Sequence, residues 1–129
     1  MFTANWKDEP ERKMTIRLLK NDEEIYILEL SGNLDLYSSN QLKEHVMKLI
    51  EKRIKGAIID LRWVDLINSA GIGSLIFISS TFKNLNYALA ITNINARIRK
   101  TMDITRLTGY LPIAASLREA VDKINSAAQ

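Results

Sequence analysis

Cysteine is absent from the 129-residue sequence, and histidine occurs once, as His45. Without thiols there is no disulfide, no thiolate metal site and no cysteine nucleophile. A lone histidine gives no basis for a histidine-rich zinc centre. No apolar run approaches the roughly 20 residues that a membrane-spanning helix needs. The N-terminus lacks the charged, apolar, small-residue order of a signal peptide. These absences lead to the expectation of a cytoplasmic protein in a reducing compartment. The formal charge is only +3, and Lys and Arg are scattered rather than blocked. No direct nucleic-acid partner and no membrane partner are therefore expected, and self-association is left open as a weak homodimer.

The usual catalytic constellations are missing too. A Ser-His-Asp triad would need His45 beside Ser69, yet helical spacing puts His45 mid-helix, near the edge of an apolar stripe. Ser69 lacks the Gly-x-Ser-x-Gly elbow. Gly71-Ile72-Gly73 is a fragment of a dinucleotide fingerprint whose third glycine position holds Ile76, and no Walker-type lysine follows. Asp35, Asp60 and Asp65 can gather at one end of a sheet, but surface acids alone carry no chemistry. The expectation is a protein that is not an enzyme, with no catalytic residue, no metal and no cofactor.

What is present is an ordinary globular composition, 47% hydrophobic and 26% charged, enough for one domain with a single core. Residues 1–13, with Pro10 and Trp6, read as an N-terminal tail, 14–125 as the domain and 126–129 as a C-terminal tail. Met14 to Leu19 and Ile25 to Leu30 are β-rich runs joined by a polar hairpin connection. The second is apolar on both faces except at Glu29, which suits an inner strand. Ser31-Gly32-Asn33 is expected to break it. Ser38 to Gln41 fits a capping box ahead of a helix with Leu42, Val46, Leu49 and Ile50 in one stripe, ended by Gly56. Ala57 to Leu61 reads as a buried strand, and Arg62 to Ile67 as a loop. A helix follows from Ser69 to about Lys83, then a strand at Tyr87 to Ile91. Asn93 or Asn95 caps a third helix closed by Gly109, and Arg97, Arg99, Lys100 and Arg106 make it basic. After a brief extended piece at Leu111 to Ile113, Ser116 to Glu119 forms a second capping box for a last helix. The order β-β-α-β-α-β-α-(β)-α predicts an α/β domain with a mixed sheet of four to five strands and about four helices.

Polar groups gather at one joint, Asp65-Leu66-Ile67-Asn68-Ser69-Ala70-Gly71-Ile72-Gly73-Ser74-Leu75. Ser69 stands there as an N-cap or first-turn residue, at a helix end whose unpaired N–H groups favour anions. The helix behind it is apolar around most of its circumference, so it is either buried on nearly all sides or covered by a partner. A phosphate on Ser69 adds about −1.5 to −2 charges. The helix dipole tolerates that charge, whereas a partner packed over Ala70, Gly71, Gly73 and Ser74 would meet a hydrated dianion. The bland alternative is a capping serine with glycines that permit close helix–sheet packing. Small-molecule binding at Gly71 and Gly73 is a third reading.

Asn68-Ser69-Ala70-Gly71-Ile72-Gly73-x-Leu75, preceded by Ile59-Asp60-Leu61-x-x-Val64, resembles the signature of STAS domains, specifically of bacterial anti-sigma factor antagonists. Gly32-Asn33-Leu34-Asp35 resembles the turn before their first helix, and Met102-x-x-x-Arg106-Leu107-Thr108-Gly109 the end of their third. The likeness runs from about Met14 to Ile124. It implies that Ser69 is the phosphoacceptor of an anti-sigma factor serine kinase of the histidine-kinase-like ATPase fold. It further implies that a PP2C-type phosphatase reverses the modification and that the unphosphorylated form binds the kinase and frees its sigma factor. Asp35, Ser38 and the residues Asn68, Ala70, Gly71, Gly73 and Ser74 become the docking surface. The family usually has Asp before the serine, where this chain has Asn68. A STAS module with a scaffolding role, in a signalling complex or a membrane-transport assembly, is the alternative.

Overall fold

The computed structural model describes residues 14–127, and the expectations for the segment with Trp6 and Pro10 lie outside them. In chain order the elements are β1 (Thr15–Lys20), β2 (Ile25–Leu34), α1 (Leu36–Glu51), β3 (Gly56–Ile67), α2 (Ser69–Asn84), β4 (Ala88–Thr92), α3 (Ala96–Thr105) and α4 (Leu117–Ala127). A short 3₁₀ turn, Thr108–Tyr110, separates the last two helices. The strands form one mixed sheet in the order β1-β2-β3-β4. β1 runs antiparallel to β2, and the remaining pairs are parallel. The extended piece at Leu111 to Ile113 contributes a single parallel bridge, Ile91 to Ile113.

The parallel strands explain the layers. Each β-α-β crossover must cover a sheet face, and successive right-handed crossovers in one direction place their helices on the same side. Leu42, Val46 and Leu49 of α1 and Leu75, Ile78 and Phe82 of α2 accordingly share one core with Leu28, Ile59 and Ile91. α4 covers the opposite face, where Ala120 and Ile124 meet Ile25, Ile27, Ile58 and Ala90. Fully burying one such Leu or Ile contributes roughly 1.5–3 kcal/mol.

Several local expectations are corrected. β2 does not break at Ser31-Gly32-Asn33 but continues to Leu34, with Gly32 at φ 100°. Arg62 to Ile67 is not a loop: β3 pairs with β2 as far as Ile67, across register shifts between Glu29 and Ser31 and between Gly32 and Asn33. Those bulges insert extra residues on β3, so Leu61, Val64 and Ile67 are buried at a spacing of three instead of two. The lost alternation is why the segment reads as irregular. α1 starts earlier than the Ser38 box implies, because Asp35 is its N-cap. It ends at Glu51, with Lys52 as C-cap and Arg53 at φ 55°, and Gly56 instead opens β3. α3 is closed by Arg106 in the left-handed region, φ 59°, not by Gly109. α4 runs on to Ala127.

Candidate functional site

Two strand ends and two helix starts converge at one edge of the domain. Leaving β2, Asp35 caps α1: its Oδ1 accepts the Ser38 N–H at 3.0 Å, and Ser38 Oγ accepts the Asp35 N–H at 2.9 Å. This reciprocal pairing satisfies two otherwise orphaned donors. Leaving β3, Asn68 caps α2, its Oδ1 accepting the Gly71 N–H at 3.0 Å. Ser69 is therefore the first helical residue and not the cap. The two joints are tied together. The Asn68 N–H donates to the Leu34 carbonyl at 3.3 Å, and the Ser39 hydroxyl lies 3.3 Å from the Ala70 carbonyl oxygen. Between them a cavity of about 290 Å³ is lined by Asn33, Leu34, Asp35, Leu66, Ile67 and Asn68.

The expected site residues divide by exposure. Asn68, Ser69 and Gly73 are exposed, and Asp35 and Ala70 are half-buried. Ser38, Gly71 and Ser74 are buried within the chain. Ser38 is taken up by the α1 cap and donates its hydroxyl to the Asn33 carbonyl at 2.7 Å. Ser74 Oγ donates to the Gly71 carbonyl at 2.6 Å. At Gly71 a Cβ would stand 2.9 Å from Ile67 Cγ1 and 3.0 Å from the Leu34 carbonyl carbon, so only glycine lets α2 approach β2 here. A Cβ at Gly73 would meet nothing within 4 Å among the described residues. No neighbour within the fold demands glycine there, although it lowers helix stability by about 1 kcal/mol relative to alanine.

α2 turns out to be buried on one side only. Gly71, Ile72, Leu75, Ile78 and Phe82 face the core, while Ser69, Gly73 and Phe77 lie on the outside at helical i, i+4, i+8 spacing. Phe77 is 50% exposed, and Leu36 and Tyr37 at the start of α1 are 69% and 82% exposed. Lys43 of α1 places its Nζ 4.8 Å from the Phe77 ring centroid, bridging the two helices. Leu36, Tyr37, Lys43 and Phe77 are absent from the residues singled out by sequence. The i+8 spacing of Phe77 from Ser69 is the signal that could have found it.

Two of the three carboxylates considered as a cluster are engaged separately. Asp35 is a cap, and Asp60 accepts the Arg62 N–H at 2.9 Å and the Asn93 side-chain amide at 3.1 Å. His45 is exposed, with its Nδ1 2.9 Å from the Gln41 carbonyl of its own helix.

A STAS domain family profile matches residues 17–120. The chain belongs to the STAS domain family. Solved structures with the same fold include an anti-sigma factor antagonist from Mycobacterium paratuberculosis, 18% identical, TM-score 0.74, covering 90% of this chain and 97% of that one. RsbS of Moorella thermoacetica, in a serine-to-glutamate variant, is 25% identical with TM-score 0.71, covering 88% and 97%. A sulfate transporter family protein from Wolinella succinogenes is 16% identical with TM-score 0.69, covering 84% and 90%. This STAS domain thus shares its architecture with anti-sigma factor antagonists and with a transporter-family protein. Among its described residues no helix is long and apolar enough to cross a membrane.

Proposed function

We propose that this STAS domain is a cytoplasmic anti-sigma factor antagonist that acts by binding, not catalysis. It docks on an anti-sigma factor serine kinase of the histidine-kinase-like ATPase fold and frees the sigma factor held there. Phosphorylation of Ser69 ends the complex, and a PP2C-type phosphatase restores it. The observation that carries this reading is the exposed Ser69 at the first position of α2, beside the glycine dip at Gly73 and the apolar residues Leu36, Tyr37 and Phe77.

The physics supports a switch. A phosphate at the first helical position sits at the positive end of α2, so the fold tolerates it. A partner pressed onto the same turn would have to desolvate a dianion, which is strongly unfavourable. Incubation with the cognate kinase and ATP should add one phosphate, lost in Ser69→Ala. Ser69→Glu should weaken kinase binding by at least about tenfold, equivalent to 1.4 kcal/mol. No mass shift, with binding equally strong in Ser69→Glu, refutes the reading. Co-purification with membrane-transport components instead of a kinase would favour the scaffold role.

A further inference from the structure

A second exposed surface lies away from the α1–α2 face. β4 stops pairing with β3 at the Asp60–Thr92 register, while β2 follows β3 to Ile67. Trp63 is in register with Ser31, which by strand alternation shares the face of Ile27 and Glu29. That is the α4 side of the sheet. α4 covers its other end: a Cβ on Gly56 would stand 2.5 Å from Ile124 Cγ2. Among the described residues no element covers the Trp63 end, and Trp63 and Leu66 are 57% and 53% exposed. Tryptophan in such a position is characteristic of interface cores.

The charges around Trp63 are self-complementary. Arg62 lies with Leu61 in the first bulge and Asp65 forms the second, one on each side of Trp63 in the chain. Neither forms an ion pair among the described residues. A twofold axis passing between Trp63 and Val64 would set Arg62 of one copy against Asp65 of the other, and the reverse, with the two Trp63 rings beside the axis. Such an isologous contact satisfies both charges twice. Edge-to-edge strand pairing is not open to it. Asn95 Nδ2 already donates to the Val64 carbonyl at 2.9 Å and stands 3.4 Å from that of Arg62, and the Arg62 N–H is held by Asp60. The contact must be made face to face, through side chains.

We propose that two copies of this chain associate through the Trp63 face as a reversible, twofold dimer set by reciprocal Arg62–Asp65 pairs. Two apolar anchors per copy fall short of the roughly 1,200 Å² of a stable interface, so the dimer dissociates on dilution. Sedimentation velocity of the full chain, from about 10 µM to about 1 mM, should show the average mass rising towards twice that of one chain. Arg62→Glu and Asp65→Arg should each stay monomeric across the series, with wild-type circular dichroism and melting temperature. An equimolar mixture of the two should associate again. In the mixed pair the introduced glutamate of one variant meets the introduced arginine of the other, while the retained Asp65 meets the retained Arg62. A monomeric wild type, single variants that dimerise unchanged, or a mixture that stays monomeric would each overturn the proposal.

Discussion

Gly71 and Gly73 sit in neighbouring positions of one helix, yet substitution by alanine should shift stability in opposite directions. In Gly71→Ala the new methyl would stand 2.9 Å from Ile67 Cγ1 and 3.0 Å from the Leu34 carbonyl carbon. Comfortable carbon–carbon separations are about 3.5–4.0 Å, so at least one of these groups must retreat by about 0.5 Å or more. One of them is backbone, and it belongs to the strand end that also accepts the Asn68 N–H. Overpacking of this kind destabilises by typically 1–3 kcal/mol, and occasionally more. Because backbone of Leu34 stands in the way, the cost lies in the upper part of that range, about 2–3 kcal/mol. Removing a helical glycine returns about 1 kcal/mol, leaving a net loss of roughly 1–2 kcal/mol. In Gly73→Ala the methyl enters open space, so only the propensity gain of about 1 kcal/mol remains. For a domain of this size 1 kcal/mol corresponds to roughly 3–5 °C in Tm. Thermal and urea unfolding should therefore place the two variants on opposite sides of the wild type. On the proposed function, Gly73→Ala should also bind the kinase more weakly while melting higher. Equal destabilisation by both substitutions, or a neutral Gly71→Ala, would refute the division into a packing glycine and a surface glycine.

Two further substitutions test the joints. Asn68→Ala removes the α2 cap and should cost about 1 kcal/mol, whereas Asn68→Asp keeps the acceptor, adds a charge at the helix start and should stabilise by about 0.3–1 kcal/mol at low salt, read by urea unfolding at two ionic strengths. Asn95→Ala removes the α3 cap and the donor to the Val64 and Arg62 carbonyls together. Its loss should exceed that of Asn68→Ala, reaching about 2 kcal/mol in the same denaturation assay.

Much of the element order was legible because each element carries its own period. The Leu42–Val46–Leu49 stripe, an asparagine cap at Asn93 or Asn95 (the structure selects Asn95) and the Ser116–Glu119 box describe local physics. The Glu119 N–H does donate to Ser116 Oγ, at 3.1 Å. β3 failed to show its length for a specific reason. Its two bulges replace the period of two by a period of three, which no alternation test detects. The α1 cap was misplaced because Ser38-Ser39-Asn40-Gln41 satisfies the same spacing rule as Asp35-x-x-Ser38. Only the position of the β2 end decides which oxygen meets a free N–H. The candidate site was legible at Ser69 and Asn68 but not in its exposure: Gly71 and Gly73 look alike in sequence.

By itself, then, the sequence determined the α/β class, the parallel crossovers, the absence of thiol chemistry and the location of a hydroxyl at a helix start. Those properties depend on residue type and short-range spacing, which the chain carries locally. The tertiary structure decided which side of α2 is buried, that Ser38, Gly71 and Ser74 serve packing and capping, and that Phe77, Tyr37 and Trp63 remain on the surface. Burial is a property of where distant segments meet. Leu34 and Gly71 stand far apart in the chain, yet the contact between them sorts one glycine from the other.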